Sequence, residues 1–221
     1  MSKGPRSCQI IRGADGPTSV FIAGRKEKNP FRRLERMWYD RKYRRKKEKA
    51  ERSIVPGSHT IQEVLQYAGE KYGMIEADVS CRGYERRKRD RRRSLIYRKR
   101  PDLLTEEKIS PPEDFRDEKA VRAWEKQVQE QMALREKEAD AIPHEVFPTD
   151  YHLFIADRGK QGTLEMEVDM LYGDIAVSCF NGSRDIMKPI VKDIYRYYGV
   201  SREDIANQTE RYRELLAVLS M

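Results

Sequence analysis

Tyr151-His152-Leu153-Phe154-Ile155-Ala156, Leu164-Glu165-Met166-Glu167-Val168-Asp169-Met170-Leu171 and Ile175-Ala176-Val177-Ser178-Cys179-Phe180 are the stretches that decide the fold. The middle one sets apolar Leu164, Met166, Val168 and Met170 against charged Glu165, Glu167 and Asp169 in alternation. A period of two puts each set on its own face of a strand, the pattern of a half-buried sheet. The flanking stretches read as strands too, joined to it by turns over 157–162 and at Tyr172-Gly173-Asp174. The helix that follows places Ile186, Ile190 and Ile194 on one face, flanked by Met187 and Val191, and ends at Gly199. A last helix opens at Ser201 with Asp204 in the capping-box position and turns Ile205, Tyr212, Leu215, Leu216 and Leu219 inward.

Toward the N-terminus, Cys8-Gln9-Ile10-Ile11 and Ser19-Val20-Phe21-Ile22-Ala23 form a hairpin around a turn rich in glycine and proline. Asn29-Pro30 starts a helix, with Asn as cap and Pro at the first helical position. Phe31, Leu34, Met37 and Trp38 give that helix one apolar stripe; beyond Tyr43 only charge continues, projecting into solvent or onto a partner. Thr60-Ile61-Gln62-Glu63 is a capping box, followed by Ile61, Val64, Leu65 and Ala68 on one face and Gly73 at the stop. A strand is expected within 74–79. A helix over 117–140 carries Val121, Trp124, Val128 and Met132 at helical spacing. The expected class is α+β: a small antiparallel sheet (the N-terminal hairpin plus strands in 151–180) with C-terminal helices, and long charged helices in 30–52 and 117–140. Four regions follow: a hairpin over 1–26, a basic helical region over 27–100, an acidic connector and helix over 101–150, and a compact α+β unit over 151–221.

Only 38% of the 221 residues are apolar and 37% are charged, against about 45–50% and about 25% in ordinary globular domains. No apolar run reaches even ten residues, Val20-Phe21-Ile22-Ala23 being one tight cluster, where a bilayer span needs about 20 such residues; no membrane association is expected. Lys3 and Arg6 precede a polar stretch rather than a signal-peptide core. Three scattered cysteines make no disulfide framework, so a reducing cytoplasm is expected. Histidines His59, His144 and His152 share no zinc spacing with the cysteines. No phosphate-binding glycine loop or nucleophile elbow occurs, so no enzyme, cofactor or metal is expected. Cys179 reads as a small buried apolar residue. Glu165, Glu167 and Asp169, with Asp157 and Asp174 nearby, are the one carboxylate set able to hold Mg²⁺ for phosphodiester cleavage. The polar face of an antiparallel sheet is normally solvated, and that is the expectation for these acids.

Charge is divided. Residues 1–100 hold 29 basic against 12 acidic residues, a net of +17, and residues 101–221 hold 16 against 25, a net of −9. Within the basic half, 25–52 carries 14 basic and 5 acidic residues and 82–100 carries 11 and 2. So many like charges repel one another, whereas an anionic lattice that releases counterions would favour them. Arg41, Lys42, Tyr43, Arg44, Arg45 and Lys46 in the first run are candidate nucleic-acid contacts. Arg82, Tyr84, Arg86, Arg87, Lys88, Arg89, Arg91, Arg92 and Arg93 are the candidates in the second. Tyr39, Tyr43, Tyr84 and Tyr97 are placed to stack on bases. The expected function is non-catalytic, cytoplasmic binding of nucleic acid or a ribonucleoprotein. The alternative is a protein–protein adaptor, with these cations paired to a protein partner or to 101–150, where 7 basic residues meet 14 acidic ones.

Ile10-Ile11-Arg12-Gly13-Ala14-Asp15-Gly16-Pro17-Thr18, followed by Ser19-Val20-Phe21-Ile22, resembles the Gly-Ala-Asp-Gly-Pro-Thr signature of the beta subunit of sodium ion-translocating decarboxylases, over about 15 of the 221 residues. The resemblance implies a bacterial source and a sodium-binding role for Asp15. Arg12 stands where the family usually has Gly, and the remaining chain offers no spanning helix for an ion path. Read without the resemblance, Gly13, Gly16 and Pro17 shape a tight turn in which Asp15 bonds its own backbone.

Overall fold

The computed structural model describes residues 7–13, 16–23, 30–105, 109–115, 117–182 and 184–221, with side chains from Met37 onward except at 184 and 185. Asn29 and the turn residues Ala14 and Asp15 lie outside the described residues, as do the side chains of Phe31 and Leu34. The chain runs β1 (Ser7–Gly13), β2 (Gly16–Ala23), α1 (Pro30–Ser53), β3 (Gly57–Ser58), α2 (Ile61–Tyr72), β4 (Ile75–Glu76), α3 (Tyr84–Lys99) and α4 (Glu118–Ala141). It continues through β5 (Tyr151–Asp157), β6 (Thr163–Asp169), β7 (Asp174–Phe180), α5 (Arg184–Tyr198), β8 (Gly199–Val200), α6 (Arg202–Asn207) and α7 (Glu210–Ser220). The class is α+β. Two compact units result, one of Met1–Arg33 with Arg82–Thr149 and the other of Leu34–Cys81 with Asp150–Met221. The basic region 27–100 is thus shared between them.

In the second unit β4, β5, β6 and β7 form one antiparallel sheet in that order. Met166 of β6 lies opposite Phe154 and Val177, and Val168 opposite His152 and Ile175. Cross-strand partners share a face, so Ala156, Leu164, Met166, Val168 and Ile175 make one apolar surface. Val64 and Ala68 of α2, Met187, Val191 and Ile194 of α5, and Leu215, Leu216 and Leu219 of α7 join these residues in the core. Each fully buried side chain of this size contributes roughly 1.5–3 kcal/mol. The helix ends are fixed locally. Glu63 N–H donates to Thr60 Oγ1 at 3.3 Å and Thr60 N–H to the Glu63 carboxylate at 2.7 Å, completing the capping box. Gly73 stops α2 in the left-handed region at φ +69°. Asp193 of α5 clasps α2, accepting from Tyr72 Oη at 2.6 Å, Tyr67 Oη at 2.5 Å and Lys71 Nζ at 2.8 Å. Burial and the bond to Asp193 push the Tyr72 phenol up to about 12.

Four sequence expectations are corrected here. The hairpin β1–β2 does not complete the sheet; it is a separate two-stranded ladder, Ser7 opposite Ala23, in the first unit. The edge of β5 is occupied by β4 instead: Ile75 faces Ile155, Glu76 faces Phe154, and Ala77 N–H donates to Leu153 O at 2.8 Å. That strand is only two residues long, and Met74 before it is buried in the core. On α5 the buried line is Met187, Val191, Ile194 and Tyr198, with Ile186 45% exposed, so the stripe is rotated by one position. The last helix is two helices: Gln208 adopts φ +47°, and Thr209 starts α7 by accepting from Tyr212 N–H.

In the first unit α3 and α4 pack together. Asp117 caps α4, accepting from the amides of Lys119 and Ala120 at 2.9 and 3.3 Å. Val121, Trp124 and Ala139 are buried, Val128 and Met132 half-buried. The Phe115 ring meets Trp124 edge-on at 6.2 Å between centroids.

Candidate nucleic-acid interface

From Met37 to Lys49 every residue of α1 is exposed. This stretch carries Arg41, Lys42, Arg44, Arg45, Lys46, Lys47 and Lys49 against Asp40 and Glu48. Among the described residues none of the seven cations is ion-paired to an aspartate or glutamate; Lys46 donates to Met221 O at 3.2 Å and Lys42 sits 4.8 Å over the Trp38 ring. Met37, Trp38, Tyr39 and Tyr43 are each 59% exposed, so the apolar stripe expected of this helix does not enter the core at Met37 and Trp38. Burial begins at Ala50.

The second run is spent differently. Arg82, Arg86 and Arg89 are exposed, and Arg86 pairs loosely with Asp90 one turn on, at 3.6 Å. Arg87 and Lys88 are half-buried, and Arg91 and Tyr84 are buried, so the Tyr84 ring is withdrawn from base stacking. Arg92 Nη2 donates to Ile142 O at 2.8 Å and Pro143 O at 3.1 Å, Nη1 to Ala139 O at 3.2 Å, and Nε and Nη2 to Phe147 O at 3.4 and 3.3 Å. Arg93 holds Asp140 with both arms of its fork, Nε to Oδ1 at 2.6 Å and Nη2 to Oδ2, with Glu136 at 3.6 Å. The bond from Arg93 holds the Asp140 carboxyl below the usual range against the opposing effect of burial. Tyr97 is half-buried, with the Arg135 guanidinium 5.5 Å from its ring. The exposed cations at 41–49 therefore lie in one unit and the 82–100 run in the other.

The acidic strand face is buried, not solvated. Glu165 and Asp174 are buried and Asp169 is wholly inaccessible, while Glu167 is half-buried and Asp157 exposed; across the sheet the buried Tyr151 faces Asp169 and the buried Leu153 faces Glu167. Asp169 accepts from the amides of Asp150 at 3.1 Å and Tyr172 at 3.0 Å, tying the start of β5 to the β6–β7 turn. Burial raises its carboxyl above the ordinary value; those amides pull it back in part, and Asp174 opposite pushes it up further. Among the described residues no group of three His, Cys, Asp or Glu is arranged to hold a metal ion. His152 joins Glu76 of β4 at 2.5 Å and Asp150 at 3.1 Å. Burial pulls its pKa down, but the two carboxylates outweigh that and leave it raised. His59 is stacked on Tyr197 at 4.0 Å, with Nδ1 2.5 Å from Tyr197 O, and His144 Nε2 lies 3.4 Å from Thr149 N. Cys179 is half-buried against the core.

Sequence reasoning missed a third set of cations. Lys188, Lys192 and Arg196 stand one turn apart on α5, a spacing legible in the sequence and overshadowed by the denser runs. Lys192 is depressed by burial first, then by Lys188, Arg196 and Lys46.

No protein-family model, curated protein or solved structure matches this chain. Among the described residues, no helix is long and apolar enough to cross a membrane.

Proposed function

We propose that the protein is a non-catalytic binder of nucleic acid or a ribonucleoprotein, with the exposed length of α1 as its contact surface. The observation behind this reading is that, among the described residues, seven cations within nine residues are paired to no aspartate or glutamate while Trp38, Tyr39 and Tyr43 lie bare beside them. A phosphate lattice neutralises such a stripe and gains entropy from released counterions; the rings supply sequence-tolerant stacking. Arg92 and Arg93 drop out of the contact set, since the chain's own acceptors hold them. The test is anisotropy of a labelled single-stranded RNA titrated with the protein across a potassium chloride series. The logarithm of the affinity should fall linearly with log salt, with a slope of about 0.7 per phosphate neutralised, and Arg41→Gln/Arg44→Gln/Arg45→Gln/Lys47→Gln should flatten that slope. Salt-insensitive binding, or none at low salt, removes the reading.

A second reading, a protein–protein adaptor, draws on the exposure of Met37 and Trp38, since Trp and Met are enriched at partner interfaces. Under it, Met37→Ser/Trp38→Ser abolishes co-purification of a partner protein and leaves RNA binding at background.

A further inference from the structure

Where α1 reaches the core, its last turns wall a groove of about 390 Å³. Lys46 and Lys49 line it from α1, Lys188, Lys192 and Arg196 from α5, and the end of α7 closes it. Among the described residues none of these five cations is ion-paired to an aspartate or glutamate. What they meet is the C-terminal end of α7: Lys192 Nζ donates to Leu219 O at 2.7 Å, Lys46 Nζ to Met221 O at 3.2 Å, and Lys188 Nζ to Met221 O as well. The end of α7 offers about half a negative charge and the Met221 carboxylate, whose oxygen takes the Lys46 and Lys188 bonds, one more, well short of five positive ones. An ammonium has three donors, so two remain on each of these lysines. Lys49 and Arg196 are both exposed and make no hydrogen bond among the described residues. Folding alone gives no reason to gather the five, since Lys188, Arg196 and Lys46 each repel the half-buried Lys192.

We propose that this groove seats a compact oligophosphate, two or three linked phosphoryl groups, held by Lys46, Lys49, Lys188, Lys192 and Arg196. A single phosphate carries too little charge to balance five cations, and a groove of about 390 Å³ suits a short anion rather than an extended one. Linked phosphoryl oxygens present a dense set of acceptors to the free ammonium donors and to the Arg196 fork. The site shares Lys46 and Lys49 with the nucleic-acid surface proposed above and stands without it.

Isothermal titration of the full chain with inorganic pyrophosphate, orthophosphate and ATP at physiological salt tests this. Pyrophosphate should bind saturably at one site and orthophosphate more weakly; ATP binding separates a nucleotide's phosphates from the free anion as the source. Lys49→Gln/Arg196→Gln removes no hydrogen bond seen within the fold and should weaken pyrophosphate about tenfold, as loss of two charge-assisted contacts implies. Arg41→Gln/Arg44→Gln, outside the groove, should leave it within about twofold on the same grounds. The Lys192 side-chain NMR signal should titrate at higher pH with pyrophosphate bound. No saturable binding, equal affinity in the groove variant, or equal weakening in both variants overturns the proposal, whatever the RNA experiment shows.

Discussion

At the end of α4 the carbonyls of Ala139, Ile142, Pro143 and Phe147 converge on the Arg92 guanidinium. The last turn of α4 has no basic residue of its own, so α3 supplies the cation that helix C-termini favour. Arg92→Gln should therefore destabilise the protein by about 2 kcal/mol in urea unfolding and raise amide exchange over 139–147. Arg86→Gln, on a surface pair, should change stability by less than about 0.5 kcal/mol. Asp169 is the matching case for an acid. Asp169→Ala orphans the amides of Asp150 and Tyr172 and should cost about 2–3 kcal/mol. Its raised carboxyl gives the wild type stability that is complete below the ordinary value of 3.8 and is lost as pH rises through the folded value. Asp169→Asn should accordingly look costlier in acid than at neutral pH, in unfolding measured at both. Neither role was visible in sequence: Arg92 is one of three consecutive arginines and Asp169 one of three alternating acids, and only the fold separates them from their neighbours.

Elements were more legible than sites because local periodicity and caps act over a few residues. The Thr60–Glu63 and Ser201–Asp204 boxes, the Asp117 cap and the alternation in β6 all specify their elements without help from distant chain. Placement was less legible. Whether the hairpin or a two-residue strand borders β5 depends on contacts across some 75 residues, and a pattern of two periods cannot rank those partners. The charge runs showed the same limit: α1 and α3 are equally basic to the eye, yet one is exposed and the other feeds a helix pair. His152 measures the β4–β5 junction directly. Its raised pKa stabilises the fold fully below 6.5, and that contribution fades as pH rises through the folded value. His152→Gln should thus lose its disadvantage against wild type between mildly acidic and mildly alkaline pH, in thermal melts across that window.

Over the whole molecule, neither unit is built from one continuous stretch. The second takes 34–81 and 150–221, and the first takes 1–33 and 82–149. Leaving β4 at Ala77, the chain returns at Leu153 beside it, after a journey that includes α3 and α4. Long-range closure of this kind slows folding, because loop entropy is lost before the core repays it. It also means that a cut in the connector over 109–115 severs the backbone while α3 still grips α4 and α2 still packs on α5. Two separately expressed pieces meeting there should each aggregate alone, yet reassemble when made together into a nicked particle that elutes as intact protein. Recovery of either piece as a folded monomer would contradict that. The architecture is that of a natural split pair, in which continuity of the polypeptide is optional once both halves have met.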